Sequence, residues 1–148
     1  DLHPDAPPDE WSGDPGVGAQ YFSQQAVARL LPASGIEYDA SLSMPEQLKI
    51  VQAAMDVGDE RALKIYDAIG IYLGYTMAHY AEFYEYEYVL LLGRVTSGPG
   101  GEHIIERSKE VMAAEFPELS ARIKFHIPDE TEKRHGQAIA AASLPRIG

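Results

Sequence analysis

Apolar residues recur at intervals of three and four along much of the first half of the chain, which is the spacing of helices that bury one face. The first such segment runs from Ala19 to Leu31 and is expected to stop at Pro32 and Gly35. A second runs from Ser43 to Met55 and a third from Asp59 to about Phe83, each opened by a residue type that caps helices. At about 1.5 Å per residue the third helix is expected to be roughly 37 Å long.

Two shorter apolar runs in the second half predict strands. Tyr86–Leu92, closed by Gly93, is typical of a central strand buried on both faces, and Arg122–Ile127 alternates apolar and polar residues. A helix that ends before Pro117 is predicted between them, and an alanine-rich helix over Thr131–Leu144 after them. This order predicts α/β layering with parallel strands joined by crossover helices.

The chain is predicted to have two parts. Residues 1–18 form an extended proline-rich lead-in with prolines at positions 4, 7, 8 and 15, and residues 19–148 form one α/β domain. Because the first residue is Asp1 and the opening is rich in proline, we expect a truncated chain whose N-terminal domain is absent.

Composition narrows the function classes. Among 148 residues, 23 acidic residues against 12 basic ones give a formal net charge of −11, which repels nucleic acid and anionic lipid. The chain has no cysteine, so disulfides and thiolate zinc sites are excluded. The longest apolar run, Val89–Leu92, is too short to span a membrane. These features favour a cytoplasmic protein that binds neither nucleic acid nor membrane.

The strand-to-helix loop from Leu92 to Gly101 is the strongest candidate for a ligand site. Ligands of open α/β sheets bind beyond the carboxyl ends of strands, and glycine lets a ligand approach bare backbone. The alternative is a tight turn without a ligand, because no phosphate-loop signature with its lysine is present.

Other sequence features are interpreted as structural. Gly70 and Gly74 share one face of the third helix and predict close helix packing. The seven tyrosines between Tyr66 and Tyr88 could stack on sugars, but a core or subunit interface is the preferred interpretation. The five histidines lack metal-ligand spacing.

The chain resembles the C-terminal domain of ROK (repressor, ORF, kinase) proteins, which are bacterial sugar kinases and sugar-responsive repressors. The resemblance lies in Ala62–Gly70, Leu73–Gly74 and Val89–Gly93, and continues through Pro128 and the glycine and alanines of positions 136–142. It implies the C-terminal half of an actin/hexokinase-like (ribonuclease H-like) ATPase domain, in which a central sheet has flanking helices.

The resemblance also implies site residues. A glycine-rich loop that lies beside the nucleotide's adenosine in the family corresponds to Gly93, Arg94 and Val95, which implies ATP as a cofactor of the intact protein. The family's zinc signature aligns with residues 15–24, where other residues replace its cysteines, so no zinc is expected. The signature's glutamate, which contacts sugar hydroxyls in the family, aligns with Gln24.

Three functions remain open on this basis. The first is a fragment of an ATP-dependent sugar kinase (a phosphotransferase), which contributes sugar-pocket and nucleotide-cleft residues. The fragment is not catalytically competent, because the phosphate-binding loop and the aspartate base belong upstream. The second is the sugar-sensing, dimerising domain of a ROK-type transcriptional regulator. The third is a dimerisation fold without a ligand. A small-molecule sugar and a homodimer are the expected partners.

Overall fold

The computed structural model describes residues 3–128 and Thr131. In chain order its elements are α1 (Ala19–Phe22), α2 (Gln24–Ser34), α3 (Met44–Asp56), α4 (Glu60–Ala81), β1 (Tyr88–Leu90), a 3-10 turn (Arg94–Thr96), α5 (Pro99–Glu115), α6 (Pro117–Ser120) and β2 (Lys124–His126). The predicted lead-in bends back on itself over residues 3–18, where Pro8 and Pro15 form an antiparallel bridge. No helix of the described residues is long and apolar enough to cross a bilayer.

The helix starts follow from local capping chemistry. The Glu46 carboxylate accepts hydrogen bonds from the Ser43 backbone N–H at 2.9 Å and from its hydroxyl at 2.5 Å, which closes a capping box at the start of α3. The Asp59 carboxylate accepts from the Arg61 backbone N–H at 2.9 Å and caps α4. Both predicted starts are confirmed.

The first predicted helix is instead divided in two. Ser23 has extended backbone angles and caps α2, so α1 ends one residue earlier. Pro32 lies inside α2, and the prediction that it stops the helix was wrong. Gly35 adopts a left-handed conformation with φ of 78° and ends the helix, as predicted.

The core lies among α2, α3, α4 and α5. Its largest fully buried side chains include Tyr66, Leu31, Leu48, Ile69 and Met112. The helices α4 and α5 approach closely because both predicted packing glycines face α5. A Cβ at Gly70 would lie 2.7 Å from the Arg107 Cβ, and one at Gly74 would lie 2.9 Å from the Val111 Cβ. The packing interpretation of these glycines is confirmed.

The predicted fold class is wrong. Residues 3–128 and Thr131 are mostly helical (59%), and their only sheet is one parallel pair, β1 with β2. Tyr88 pairs with Lys124 and Leu90 with His126. An actin-like domain needs a central sheet with helices on both faces, whereas here the helices themselves form the core.

The strand over Tyr86–Leu92 was also predicted as buried on both faces, and this was wrong. Val89 packs against the core, as does Phe125 of β2, whereas Tyr88 and Leu90 are 67% and 59% exposed. An apolar run of this kind identifies a strand, but not whether its second face is covered. The last predicted helix, Thr131–Leu144, lies outside the described residues except for Thr131.

Candidate functional site

Two segments that are far apart in sequence meet at one small cleft. Its walls are Phe22–Gln25, at the junction of α1 and α2, and Leu92–Val95, which follows β1. Its volume is about 220 Å³. The cleft contains all four residues that the resemblance implies as contacts, namely Gln24, Gly93, Arg94 and Val95. We call it the Gln24–Arg94 cleft.

The break between α1 and α2 positions Gln24. The Ser23 hydroxyl donates to the Ala19 carbonyl oxygen at 2.6 Å and accepts from the Gln25 backbone N–H at 3.0 Å. The Gln25 side-chain oxygen accepts from the Gln20 amide at 2.9 Å. Because these partners hold its two neighbours, Gln24 is fixed as the first residue of α2, half-buried at the cleft wall.

The opposite wall depends on an unusual backbone conformation. Gly93 has φ of 124° and ψ of 166°, a region that is essentially restricted to glycine. Its carbonyl oxygen accepts from the Thr96 backbone N–H at 3.2 Å and from the Thr96 hydroxyl at 2.8 Å. The Gln52 side-chain amide donates to the Arg94 carbonyl oxygen at 2.9 Å. The loop backbone is therefore held in place, while the Arg94 side chain is exposed.

Arg94 supplies the charge of the cleft. None of the ion pairs in the described part of the chain involves it, and the other residues that line the cleft carry no formal charge. Its guanidinium offers five N–H donors, and the Gln24 amide can both donate and accept. The Ser23 hydroxyl is already engaged at the helix cap. This set of groups is suited to binding an oxygen-rich ligand rather than to nucleophilic catalysis.

The wider glycine-rich loop has a structural role beyond Gly93. A Cβ at Gly100 would overlap the Tyr66 ring, and a Cβ at Gly101 would lie 2.8 Å from the Thr96 Cα. By contrast, a Cβ at Gly93 meets nothing within 4 Å. Of the glycines in the predicted ligand loop, Gly93 lines the cleft. Gly100 and Gly101 instead lie in the first turn of α5, where they pack against Tyr66 and Thr96.

Sequence reasoning missed the apolar side chains of the cleft and the exposure of most tyrosines. Phe22 and Leu92 line the cleft beside the polar residues. Their only signal in the sequence was their place in the apolar patterns that predicted the first helix and the first strand. Among the seven tyrosines, Tyr66 is fully buried in the core, but Tyr75, Tyr80, Tyr84 and Tyr88 are exposed, so the core interpretation was wrong for these four. Within residues 3–128 and Thr131, no cluster of histidines and carboxylates is arranged to hold a metal.

No family model, curated protein or solved structure matches this chain. The cleft is small, because about 220 Å³ lies below the roughly 300–1,000 Å³ that is typical of pockets for drug-sized ligands.

Proposed function

We propose that this chain is a sugar-binding domain and that a single monosaccharide occupies the Gln24–Arg94 cleft. One observation carries the proposal. Gln24 was predicted as a sugar contact and Gly93–Val95 as a nucleotide contact, and the two sets line the same small cleft. Since that volume suits one small ligand, the loop residues are reassigned from the nucleotide to the sugar.

The chemistry of the walls supports a sugar. A monosaccharide presents hydroxyl groups around its rim and C–H groups on its ring faces. The Gln24 amide and the Arg94 guanidinium can hydrogen-bond to the hydroxyl oxygens, while Phe22 and Leu92 offer apolar contact to the ring. The open backbone at Gly93 lets the ligand approach the loop closely.

The ROK-type sugar kinase and the sugar-responsive regulator both stay predictions for the parent protein, because they rest on the sequence resemblance and not on the fold, whose helical core differs from the actin-like domain of that family. Sugar binding by this domain is common to both. The cleft residues include no carboxylate to act as a base, so no phosphoryl-transfer step is assigned to them. ATP as a cofactor of the intact protein stays a prediction.

Removing either polar wall is expected to weaken sugar binding. Arg94→Ala removes a charged donor and should raise the Kd by roughly 10- to 100-fold, and Gln24→Ala should raise it by about 2- to 12-fold. Gln24→Glu replaces the amide by the carboxylate that the ROK signature carries, which keeps an acceptor at the same place, and should retain binding. Titration of the ¹⁵N-labelled chain with D-glucose, D-mannose and N-acetyl-D-glucosamine, followed by NMR, measures these constants.

Arg122→Ala is the matched control, because Arg122 is exposed and does not line the cleft. It should leave the Kd unchanged. Equal losses of sugar affinity in Arg94→Ala and Arg122→Ala would mean that the effect comes from the change in net charge and not from the cleft. Failure of all three sugars to bind the unmodified chain would contradict the proposal.

A second candidate function, self-association, is favoured by one exposed surface. The outer sheet face consists of Tyr88, Leu90, Leu92, Lys124 and His126, and its three apolar members are 59–67% exposed. Large apolar side chains that are exposed together on one face of a sheet favour an interaction site. Exposed Glu85 and Glu87 lie next to the same strand, so a two-fold related copy can place its Lys124 against them. These features support the proposed homodimer.

Leu90→Asp is expected to convert the dimer to a monomer, because it places an unpaired charge at the centre of the outer sheet face. Size-exclusion chromatography with light scattering measures the mass. Val57→Asp is the control, because Val57 is also highly exposed but lies at the end of α3. A monomeric unmodified chain, or a dimer that survives Leu90→Asp, would rule out self-association through this face.

A further inference from the structure

A second and larger cavity lies among the lead-in, α1 and α4. Its volume is about 460 Å³, which falls within the range of small-molecule sites. Five of its lining side chains are aromatic, namely Tyr21, Phe22, Tyr72, Tyr75 and Tyr80. We call it the aromatic pocket. Phe22 lines both this pocket and the Gln24–Arg94 cleft, and so lies between the two.

None of the five aromatic residues is among the buried core residues, although Phe22 packs against them. The core side chains of α4 include Ile65, Ile69, Leu73 and Met77, all nearly inaccessible. Tyr75 and Tyr80 follow Tyr72 by three and eight residues on the same helix. Tyr75 and Tyr80 remain 48% and 41% exposed. Large aromatic side chains that line a cavity without being buried are typical of a binding surface.

Charge around the pocket favours a neutral ligand. Apart from tyrosine, the ionisable side chains that line it within the described residues are His3 and His79. The guanidinium carbon of Arg29 already lies 5.1 Å from the centre of the Tyr21 ring and 6.0 Å from that of Tyr72. Arg29 is held there because its Nη2 donates to the Gln20 carbonyl oxygen at 3.1 Å. This cation occupies the faces that a cationic ligand would use, and repels it.

We infer that the aromatic pocket is a second carbohydrate site, which binds a neutral sugar by stacking. A pyranose whose hydroxyls are equatorial has two flat C–H faces that can lie against the rings of Tyr75 and Tyr80, since Arg29 lies over those of Tyr21 and Tyr72. Its hydroxyl edge can then reach the hydroxyls of Tyr72, Tyr75 and Tyr80, because tyrosine combines an apolar ring with a polar tip. This site differs from the Gln24–Arg94 cleft, which relies on the amide and guanidinium groups, and it does not depend on the cleft being occupied.

Gly18 keeps part of the pocket open. A Cβ at this position would lie 3.1 Å from the Phe22 Cε2 and 3.7 Å from the Tyr80 hydroxyl. The φ of Gly18 is −54°, which any residue can adopt. A larger side chain here would therefore project into the pocket without backbone strain. A substitution at Gly18 can thus fill the pocket, whereas a substitution at Tyr80 removes part of its wall.

The test uses cellobiose, whose hydroxyls are largely equatorial, and the full ¹⁵N-labelled chain. We expect cellobiose to shift the amide resonances of α1 and the second half of α4. Tyr80→Ala should raise its Kd by about 2- to 12-fold through the loss of one stacking face. Gly18→Leu should raise it by at least as much by occupying the space. Far-UV circular dichroism confirms that each variant is folded.

Tyr84→Ala is the control, because Tyr84 is exposed but outside the pocket, and it should not change the Kd. The variants Gln24→Ala and Arg94→Ala should also leave cellobiose binding intact. Loss of binding in those two variants instead would place the sugar in the cleft and overturn the inference. Absence of shifts in α1 and α4, or an unchanged Kd in a folded Gly18→Leu variant, would overturn it as well.

Discussion

The Gly101→Ala variant is expected to be destabilised by about 3 kcal/mol, at the upper end of the range for overpacked sites. Gly101 is buried in the first turn of α5, where an added Cβ would lie 2.6 Å from the Thr96 carbonyl carbon and 2.8 Å from its Cα. Both atoms belong to backbone, which cannot rotate away as a side chain can. The strain must therefore move either the 3-10 turn or the start of α5, and urea unfolding followed by circular dichroism measures its cost.

Glu102→Ala is the matched control for this prediction. It introduces the same residue at the next position of α5, where the side chain is exposed, and should change the free energy of unfolding by less than about 0.5 kcal/mol. Because the 3-10 turn carries Arg94 and Val95, Gly101→Ala should also weaken sugar binding in the cleft. A variant as stable as the unmodified protein would show that the turn and α5 are less closely packed than described.

Tyr66→Ala is expected to destabilise the protein by about 4 kcal/mol, because it empties the largest fully buried position in the core. Tyr66→Phe is expected to stabilise the protein by about 1 kcal/mol. The Tyr66 hydroxyl is buried without a hydrogen-bond partner among the described residues, and such a group costs free energy that phenylalanine avoids. Chemical unfolding of both variants measures the two effects. A destabilised Tyr66→Phe would show that the hydroxyl has a partner, such as an ordered water.

The same residue predicts how stability depends on pH. Burial, with a smaller contribution from the Asp56 carboxylate, raises the pKa of Tyr66 to about 12, whereas an unfolded tyrosine has a pKa of about 10. Below pH 10 the hydroxyl is protonated in both states and contributes no pH dependence. Between about pH 10 and pH 12 the unfolded state ionises first, so stability falls by roughly 2 to 3 kcal/mol. Tyr66→Phe should remove this part of the alkaline loss.

Local sequence was sufficient to predict where α3 and α4 begin and where α2 ends. Ser43 and Asp59 each supply a cap to the backbone within three residues, so the starts of α3 and α4 depend on little else. Gly35 ends α2 for an equally local reason, its left-handed conformation. Pro32 misled because the helix continues past it for two residues, to Ser34, before Gly35 ends it.

The layering could not be predicted, because it depends on which surfaces of the fold meet. The apolar run at Tyr86–Leu92 identifies a strand. The same sequence is compatible with burial on both faces and with the observed arrangement, in which one face packs on the core and the other is exposed. The core interpretation was wrong for Tyr75 and Tyr80 of α4 for a similar reason, since helical spacing does not show whether a tyrosine is buried in the core or exposed. The resemblance to ROK proteins implied Gln24 and Gly93–Val95 as contacts, but not that they would line one cleft.

The position of a bound monosaccharide tests most directly whether one sugar binds in the Gln24–Arg94 cleft. Nuclear Overhauser effects between the protons of a saturating monosaccharide and the protein report contacts within a few ångströms. A single-sugar site at this cleft predicts contacts to the side-chain amide of Gln24 and to the backbone of Gly93 in the same complex. Contacts confined to one wall, to the aromatic pocket or to neither would contradict a single-sugar site at the Gln24–Arg94 cleft.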